Sequence, residues 1–199
     1  MATKSRASTS TRGRPVNADG EATRARLLDA AAAICAETGF DGATVSQIAR
    51  RAGLTPAAIY NYYDSREDLL YAAGRRGLEQ VTAVVPAGAG ADAARLIATA
   101  YLRPELAQTR RLLAELHVAS NREPRLAALL AEWHHSWSAA LRRVLPPGDP
   151  DPGATVKALF LLLLGLCHLD DLESVRARPT ALARTVEALV EVLVPQRRA

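Results

Sequence analysis

The chain has 199 residues, 49% of them hydrophobic and 23% charged, with a formal net charge of +4. These proportions exclude collagen-like and low-complexity chains and fit a soluble globular protein long enough to bury a core. Its two cysteines, Cys35 and Cys167, lie far apart within apolar runs, which excludes a disulfide framework or zinc-finger spacing and fits a reducing compartment.

The positive charge gathers at the start of the chain. Residues 1–76 hold 11 Lys/Arg against 8 Asp/Glu, and the first 26 hold 6 against 2. The opening MATKSRASTSTRGRPVN has no apolar core of a secretory signal, so residues 1–20 are expected to be a disordered basic arm. A basic end on a nearly neutral body points to an anionic partner, nucleic acid or a membrane surface. From Thr23 a helical period begins, with Leu27, Leu28, Ala31, Ile34 and Cys35 on one face, and Gly39 ends it. Thr44 then caps a short second helix whose inner side is Val45, Ile48, Ala49 and Ala52, and Gly53 stops it. Thr55-Pro56 opens a third helix, read as 56–62, with Ile59 and Tyr63 pointing inward. A fourth follows from about Ser65 to Val84, capped by Asp64 or Ser65, with acids in its first turn.

Beyond the break PAGAGAD, helical stretches are expected at about 91–102, 104–121, 124–145, 153–173 and 179–194, with PPGDPDPG at 146–153 as a linker. The longest apolar run, Ala158 to Leu169, has 12 residues, short of the roughly 20 that a membrane span needs. No period-2 alternation is present, so the fold class is all-α, and no membrane partner is expected.

Segment 44–63, TVSQIARRAGLTPAAIYNYY, has the parts of a helix-turn-helix: small Ala49 at the crossing, Gly53 in the turn and Leu54 plugging the gap. Ser46, Gln47, Arg50, Thr55, Ala57, Ala58, Tyr60, Asn61 and Tyr62 are then expected to face outward. A plain helical hairpin is the bland alternative, but three tyrosines in four positions are unusual on a merely solvated face.

Together with the preceding helix ending in ETGFDGATV, the stretch SQIARRAGLTPAAIYNYYDSREDLL resembles the DNA-binding domain of the TetR family of bacterial transcriptional regulators. The likeness covers residues 23–74. It departs from the family pattern where Ala57 replaces a frequent glycine, Tyr62-Tyr63 stand for His-Phe, and Arg66 stands for Lys. The resemblance implies that the third helix enters a DNA major groove with its N-terminal residues at base edges. Double-stranded DNA is therefore the expected partner, met by Thr44, Ser46, Gln47, Thr55, Pro56, Ala57, Tyr60, Asn61, Tyr62 and Arg66. Thr44, Thr55 and the backbone N–H groups of helix starts suit phosphates, and the Ala57 methyl suits a thymine methyl. Tyr60, Asn61 and Tyr62 correspond to phosphate-contacting positions of the family. Arg66 is expected to bind phosphate, with a pair to a nearby acid as a compatible alternative. The arm sequence RGRP would place Arg12 and Arg14 in an adjacent minor groove, the alternative being a solvated tail.

For residues 75–199 the resemblance is architectural and implies a helical effector-binding and dimerisation domain. The expected division is an arm over 1–20, a helix-turn-helix domain over 21–67 and an effector and dimerisation domain over 68–199. The apolar helices at about 153–173 and 179–194 would form a homodimer interface, or else complete the monomer core. A pocket for a small, mainly aliphatic effector is expected among Leu96, Tyr101, Leu112, Leu116, His117, Trp133, Trp137, Phe160 and His168, each of which has plain core packing as its alternative. Adjacent His134 and His135 diverge by about 100° on a helix, so no metal site is expected, nor any cofactor.

These readings converge on a cytoplasmic, homodimeric DNA-binding transcriptional regulator. It would be a repressor on a palindromic operator, released by a small apolar effector, and not an enzyme. The alternatives are a nonspecific DNA-binding protein, or a helical enzyme or carrier whose hairpin is only scaffolding.

Overall fold

The computed structural model describes residues 16–85, 92–143, 145, 148–170 and 179–193. Among them are nine α-helices: α1 (Val16–Gly42), α2 (Val45–Ala52), α3 (Pro56–Ile59), α4 (Arg66–Ala83), α5 (Asp92–Tyr101), α6 (Ala107–Ala119), α7 (Pro124–Arg142), α8 (Pro152–Asp170) and α9 (Pro179–Leu193). The all-α architecture expected from the periodicity is present, and no strand occurs among the described residues.

The start signals act through specific hydrogen bonds. Thr44 caps α2 in a reciprocal box, its hydroxyl accepting from Gln47 N while Gln47 Oε1 accepts from Thr44 N at 2.9 Å. Thr55 caps α3 by accepting from Ala58 N, with Pro56 in the first turn. Ser65, rather than Asp64, caps α4 by accepting from Asp68 N at 3.0 Å. Asp151 takes the N–H groups of Gly153 and Ala154 at the start of α8. Stop signals act through glycine. Gly53 closes α2 at φ 69°, and Gly39 breaks α1 at φ 78°, conformations that cost a residue bearing Cβ.

Three boundaries differ from expectation. The first helix begins at Val16 and not at Thr23, so residues 16–20 of the supposed arm are helical. The third ends at Ile59, and the chain continues to Tyr63 in tight turns, with Asn61 N donating to Ala58 O and Tyr62 N to Ile59 O. The expected helix 104–121 is split into a 3-10 turn over Pro104–Leu106 and α6. Arg103 stands extended before Pro104, the conformation that a following proline favours. The buried guanidinium of Arg110 holds this break by donating to the carbonyls of Tyr101 and Arg103.

Two apolar cores result. One joins α1, α2, α3 and α4 to α6 and the start of α7, with Leu27, Ile48, Ile59, Leu69, Leu70, Leu113 and Leu116 at its centre. The other joins α5, the end of α7, α8 and α9 around Trp137, Leu141, Val156, Leu159, Val186 and Val190. The first core therefore runs across residue 68. Helix α4 crosses α6 closely at Gly74, where a Cβ would lie well inside contact distance of Leu116 Cδ1, and at Gly77, where it would lie 3.3 Å from Leu112 Cδ2.

Candidate nucleic-acid interface

The segment from Thr55 to Asn61 is the outer edge of the N-terminal unit. Ile59 is buried and anchors it to the first core, whereas Thr55, Pro56, Ala57, Tyr60 and Asn61 are exposed. Tyr60 is 54% exposed, one of few large apolar side chains so placed. On α2, Thr44 and Ser46 are also exposed, so two capped helix starts and their N–H groups lie on the surface. That arrangement offers donors for phosphate oxygens, a methyl at Ala57 and two polar tips at Tyr60 and Asn61.

Three expected contact residues are placed differently. Gln47 is half-buried, with its Oε1 bound to the N–H and hydroxyl of Thr44, because the capping box draws that carbonyl back along the helix. Tyr62 is half-buried against the first core, with the Arg24 guanidinium 5.7 Å from its ring centre, because the tight turn after Ile59 rotates it inward. Arg66 turns inward altogether. Its Nη1 donates to Phe40 O at 2.6 Å and Ala43 O at 3.1 Å, its Nε and Nη2 meet Glu67, and the guanidinium lies 5.2 Å from the Phe40 ring centre. The pair with a neighbouring acid is thus present, and the planar cation closes the end of α1. Arg12 and Arg14 lie outside the described residues.

Arg24 is a residue the sequence reading passed over. It is exposed on α1 and stands beside Tyr62 at the end of the reading segment. Only its position outside the stripe of Leu27, Leu28 and Ala31 could have singled it out. Cys35, by contrast, is fully buried in the first core, and burial, with Glu115 adding to it, pushes its thiol up to about 12.

The interior cavity brings together part of the expected set. Tyr101, His117, Trp133 and Phe160 line a small enclosed space of about 20 Å³ between α4, α5, α6, α7 and α8. His134, left out by the sequence reading, joins them. Its Nε2 lies 3.0 Å from Nε2 of His117, and its ring meets Phe160 edge-on at 4.6 Å. The outward residue of the adjacent histidines is His135. Leu112 and Leu116 belong instead to the α4–α6 crossing, drawn there by the space that Gly77 and Gly74 leave. Leu96 and Trp137 do not line the cavity; Trp137 is buried in the second core with its indole N–H 3.4 Å from Thr82 Oγ1. The side chain of His168 lies outside the described residues. Among the described residues no three potential metal ligands gather, and no helix is long and apolar enough to cross a membrane.

Comparison with known proteins agrees with this geometry. Residues 27–73 match the sequence profile of bacterial regulatory proteins of the tetR family. The HTH-type transcriptional regulator Mb2936c of Mycobacterium bovis is 30% identical over 154 residues, 72% of this chain and 77% of that protein. UidR of Escherichia coli, also an HTH-type transcriptional regulator, is 25% identical over 182 residues, 86% of this chain and 93% of that one. The crystal structure of a transcriptional regulator from Rhodococcus sp. Rha1 superposes with a TM-score of 0.76 at 21% identity, covering 85% of this chain and 95% of its own, and so shares the fold. All three are named as regulators of transcription, not as enzymes. The chain belongs to the tetR family of bacterial regulatory proteins, and its α2–α3 unit is a DNA-binding helix-turn-helix.

Proposed function

We propose that this protein is a cytoplasmic, ligand-responsive repressor that binds a palindromic operator as a homodimer and leaves it when a small, largely apolar effector enters the C-terminal helices. The observation that carries the DNA reading is the exposed edge formed by Thr55, Pro56, Ala57, Tyr60 and Asn61 on a buried anchor, Ile59. Thr44, Ser46 and the helix starts hold phosphates beside it, Arg24 adds a cation, and Arg12 and Arg14 reach an adjacent minor groove. Gln47, Tyr62 and Arg66 support this surface from behind.

The dimer reading is supported by apolar side chains left outside on the last two helices. Leu161 on α8 is 61% exposed, and Leu189 and Val192 on α9 are 44% and 80% exposed. Two copies joined there would present two reading edges, as half-sites one helical turn apart require. The effector reading is supported by the cavity at His117 and His134 and by the close α4–α6 crossing. Movement of α6 around a ligand is passed to α4, whose first turn closes on α1 through Arg66.

Titrating a duplex from the gene's own upstream region, with random duplex as competitor, tests the reading. Discrimination of about a thousandfold or more at a stoichiometry of one dimer per site is expected. Equal affinity for both duplexes would make the protein a nonspecific binder.

A further inference from the structure

Two histidines from different helices meet inside the molecule in a fixed hydrogen-bonding state. Nδ1 of His117 lies 2.7 Å from Leu113 O. A carbonyl only accepts, so Nδ1 carries the proton, and in the neutral ring Nε2 presents a lone pair. That lone pair faces Nε2 of His134 at 3.0 Å, which must therefore be the donor. The pair is one acceptor and one donor, bonded to each other in the wall of an apolar space. From α4 the space is faced by Leu78 and Val81, from α6 by Leu113, and from α8 by Phe160 and Leu164. Tyr101 from α5 is the other titratable group in the lining, and no carboxylate, lysine or arginine is part of it among the described residues.

Trp133 separates this space from a much larger one. Its other side forms the wall of a groove of about 430 Å³ between α4 and α7, lined mainly by apolar atoms of residues such as Leu78 and Leu129, with the charged Arg75, Glu79 and Glu132 also in its lining. The inner space of about 20 Å³ holds roughly one water, whereas the groove is in the range of small-molecule sites. The tie that holds Trp133 is slight. Its indole N–H reaches Thr82 Oγ1 at 3.2 Å, and the indole of Trp137 approaches the same oxygen at 3.4 Å. Turning Trp133 aside leaves that hydroxyl still accepting from Trp137 and donating to Leu78 O.

We propose that the His117–His134 pair is the recognition point for the carboxyl group of an apolar monocarboxylic acid, whose hydrocarbon body occupies the α4–α7 groove once Trp133 has turned aside. A protonated carboxyl is itself one donor and one acceptor side by side. Its O–H donates to His117 Nε2 and its C=O accepts from His134 Nε2–H, so the inserted group replaces one internal hydrogen bond with two. If the proton passes to His117, the carboxylate accepts from both rings, and the proton count is unchanged. Either way, a carboxylate taken from neutral solution brings one proton into the complex. Burial, with His117 adding to it, lowers His134 to about 4, so that ring is neutral in the free protein across the useful pH range. This inference rests on the ligand-responsive reading and names the chemistry of its effector.

The test uses the full-length protein and the intrinsic fluorescence of its two tryptophans, Trp133 and Trp137. Decanoic acid, decanamide and methyl decanoate are titrated at pH 5.5, 6.5 and 7.5. The acid should weaken about tenfold per pH unit, because its binding takes up one proton. The amide, also a donor beside an acceptor, should bind with no pH dependence. The ester, which cannot donate, should bind at least about tenfold more weakly than the acid at pH 5.5. His117→Phe, which removes the acceptor for the acid's O–H, should abolish the difference between acid and ester, whereas His134→Phe should weaken both alike and His134→Gln, which keeps a donor, should restore part of that loss. An ester as tight as the acid, an acid affinity independent of pH, or no binding of any of the three overturns the proposal. Operator release is measured separately on the same samples. Release by an unrelated compound with no acid binding overturns the carboxyl site and leaves the ligand response intact. Acid binding without release upholds the site and overturns its role as effector.

Discussion

The guanidinium of Arg66 donates to the carbonyls of Phe40 and Ala43, 26 and 23 residues earlier, and so closes the end of α1 from the first turn of α4. Two carbonyls at a broken helix end would otherwise lack these partners. Arg66→Ala should therefore destabilise the protein by about 1–3 kcal/mol in urea denaturation. The salt dependence of operator binding should be unchanged, which separates this role from that of a phosphate contact, whose loss lowers the slope by about 1.

Tyr60 and Asn61 should behave in the opposite way. Both are exposed, so replacing either with Ala should shift stability by no more than about 0.5 kcal/mol. Operator affinity measured by fluorescence anisotropy should fall, by about 1–3 kcal/mol for a residue reading a base edge and more evenly across sequences for one on phosphate. Arg24→Ala should likewise weaken all duplexes and lower the salt slope by about 1.

At the α4–α6 crossing, Gly74→Ala places a methyl against Leu116, which is fully buried and has little room to turn. A loss of about 1–3 kcal/mol is expected. Gly77→Ala, with 3.3 Å to Leu112, should cost less. Leu116→Val in the Gly74→Ala background should recover part of the loss, and a double-mutant cycle measures that coupling.

The pH dependence of stability follows from His134. Its folded value of about 4 lies below the ordinary 6.5, so between those values the unfolded chain binds a proton that the folded chain refuses. Stability is then fully present above pH 6.5 and declines as the pH falls toward 4. Melting temperatures between pH 7 and 4.5 should show this decline, and His134→Gln should flatten it.

On the last two helices, Val192→Glu with Leu161→Glu should convert the proposed dimer to a folded monomer, because both side chains are exposed within one chain. Sedimentation velocity and circular dichroism check the two halves of that statement. Operator affinity should drop with the loss of the second reading edge.

Much of the fold was legible because its punctuation is local. Thr44, Thr55, Pro56, Gly39 and Gly53 each act on backbone within a few residues, and each stands where the composition put it. The same locality made Ile59 and Tyr60 separable as anchor and edge. Arg66 was harder, since its partners lie more than twenty residues away and no spacing rule links a cation to carbonyls at the end of another helix. His134 was hidden for a similar reason. Beside His135 it looks like half of an unusable neighbour pair, whereas its partner is His117, one helix earlier, and only the packing of α6 on α7 reveals it. Leu112 and Leu116 pack at the α4–α6 crossing and not around the small space at His117, because glycines on α4, invisible to a count of apolar side chains, leave room for them there.

Because α6 supplies Leu113 and Leu116 to the same interior as Leu27 and Leu70, the DNA-reading end is no autonomous module. A fragment truncated after Val85 would strip α1 and α4 of that cover and leave oily faces bare to water. The DNA-reading end and α6 are thus welded rather than strung together, and a disturbance of one is felt directly by the other.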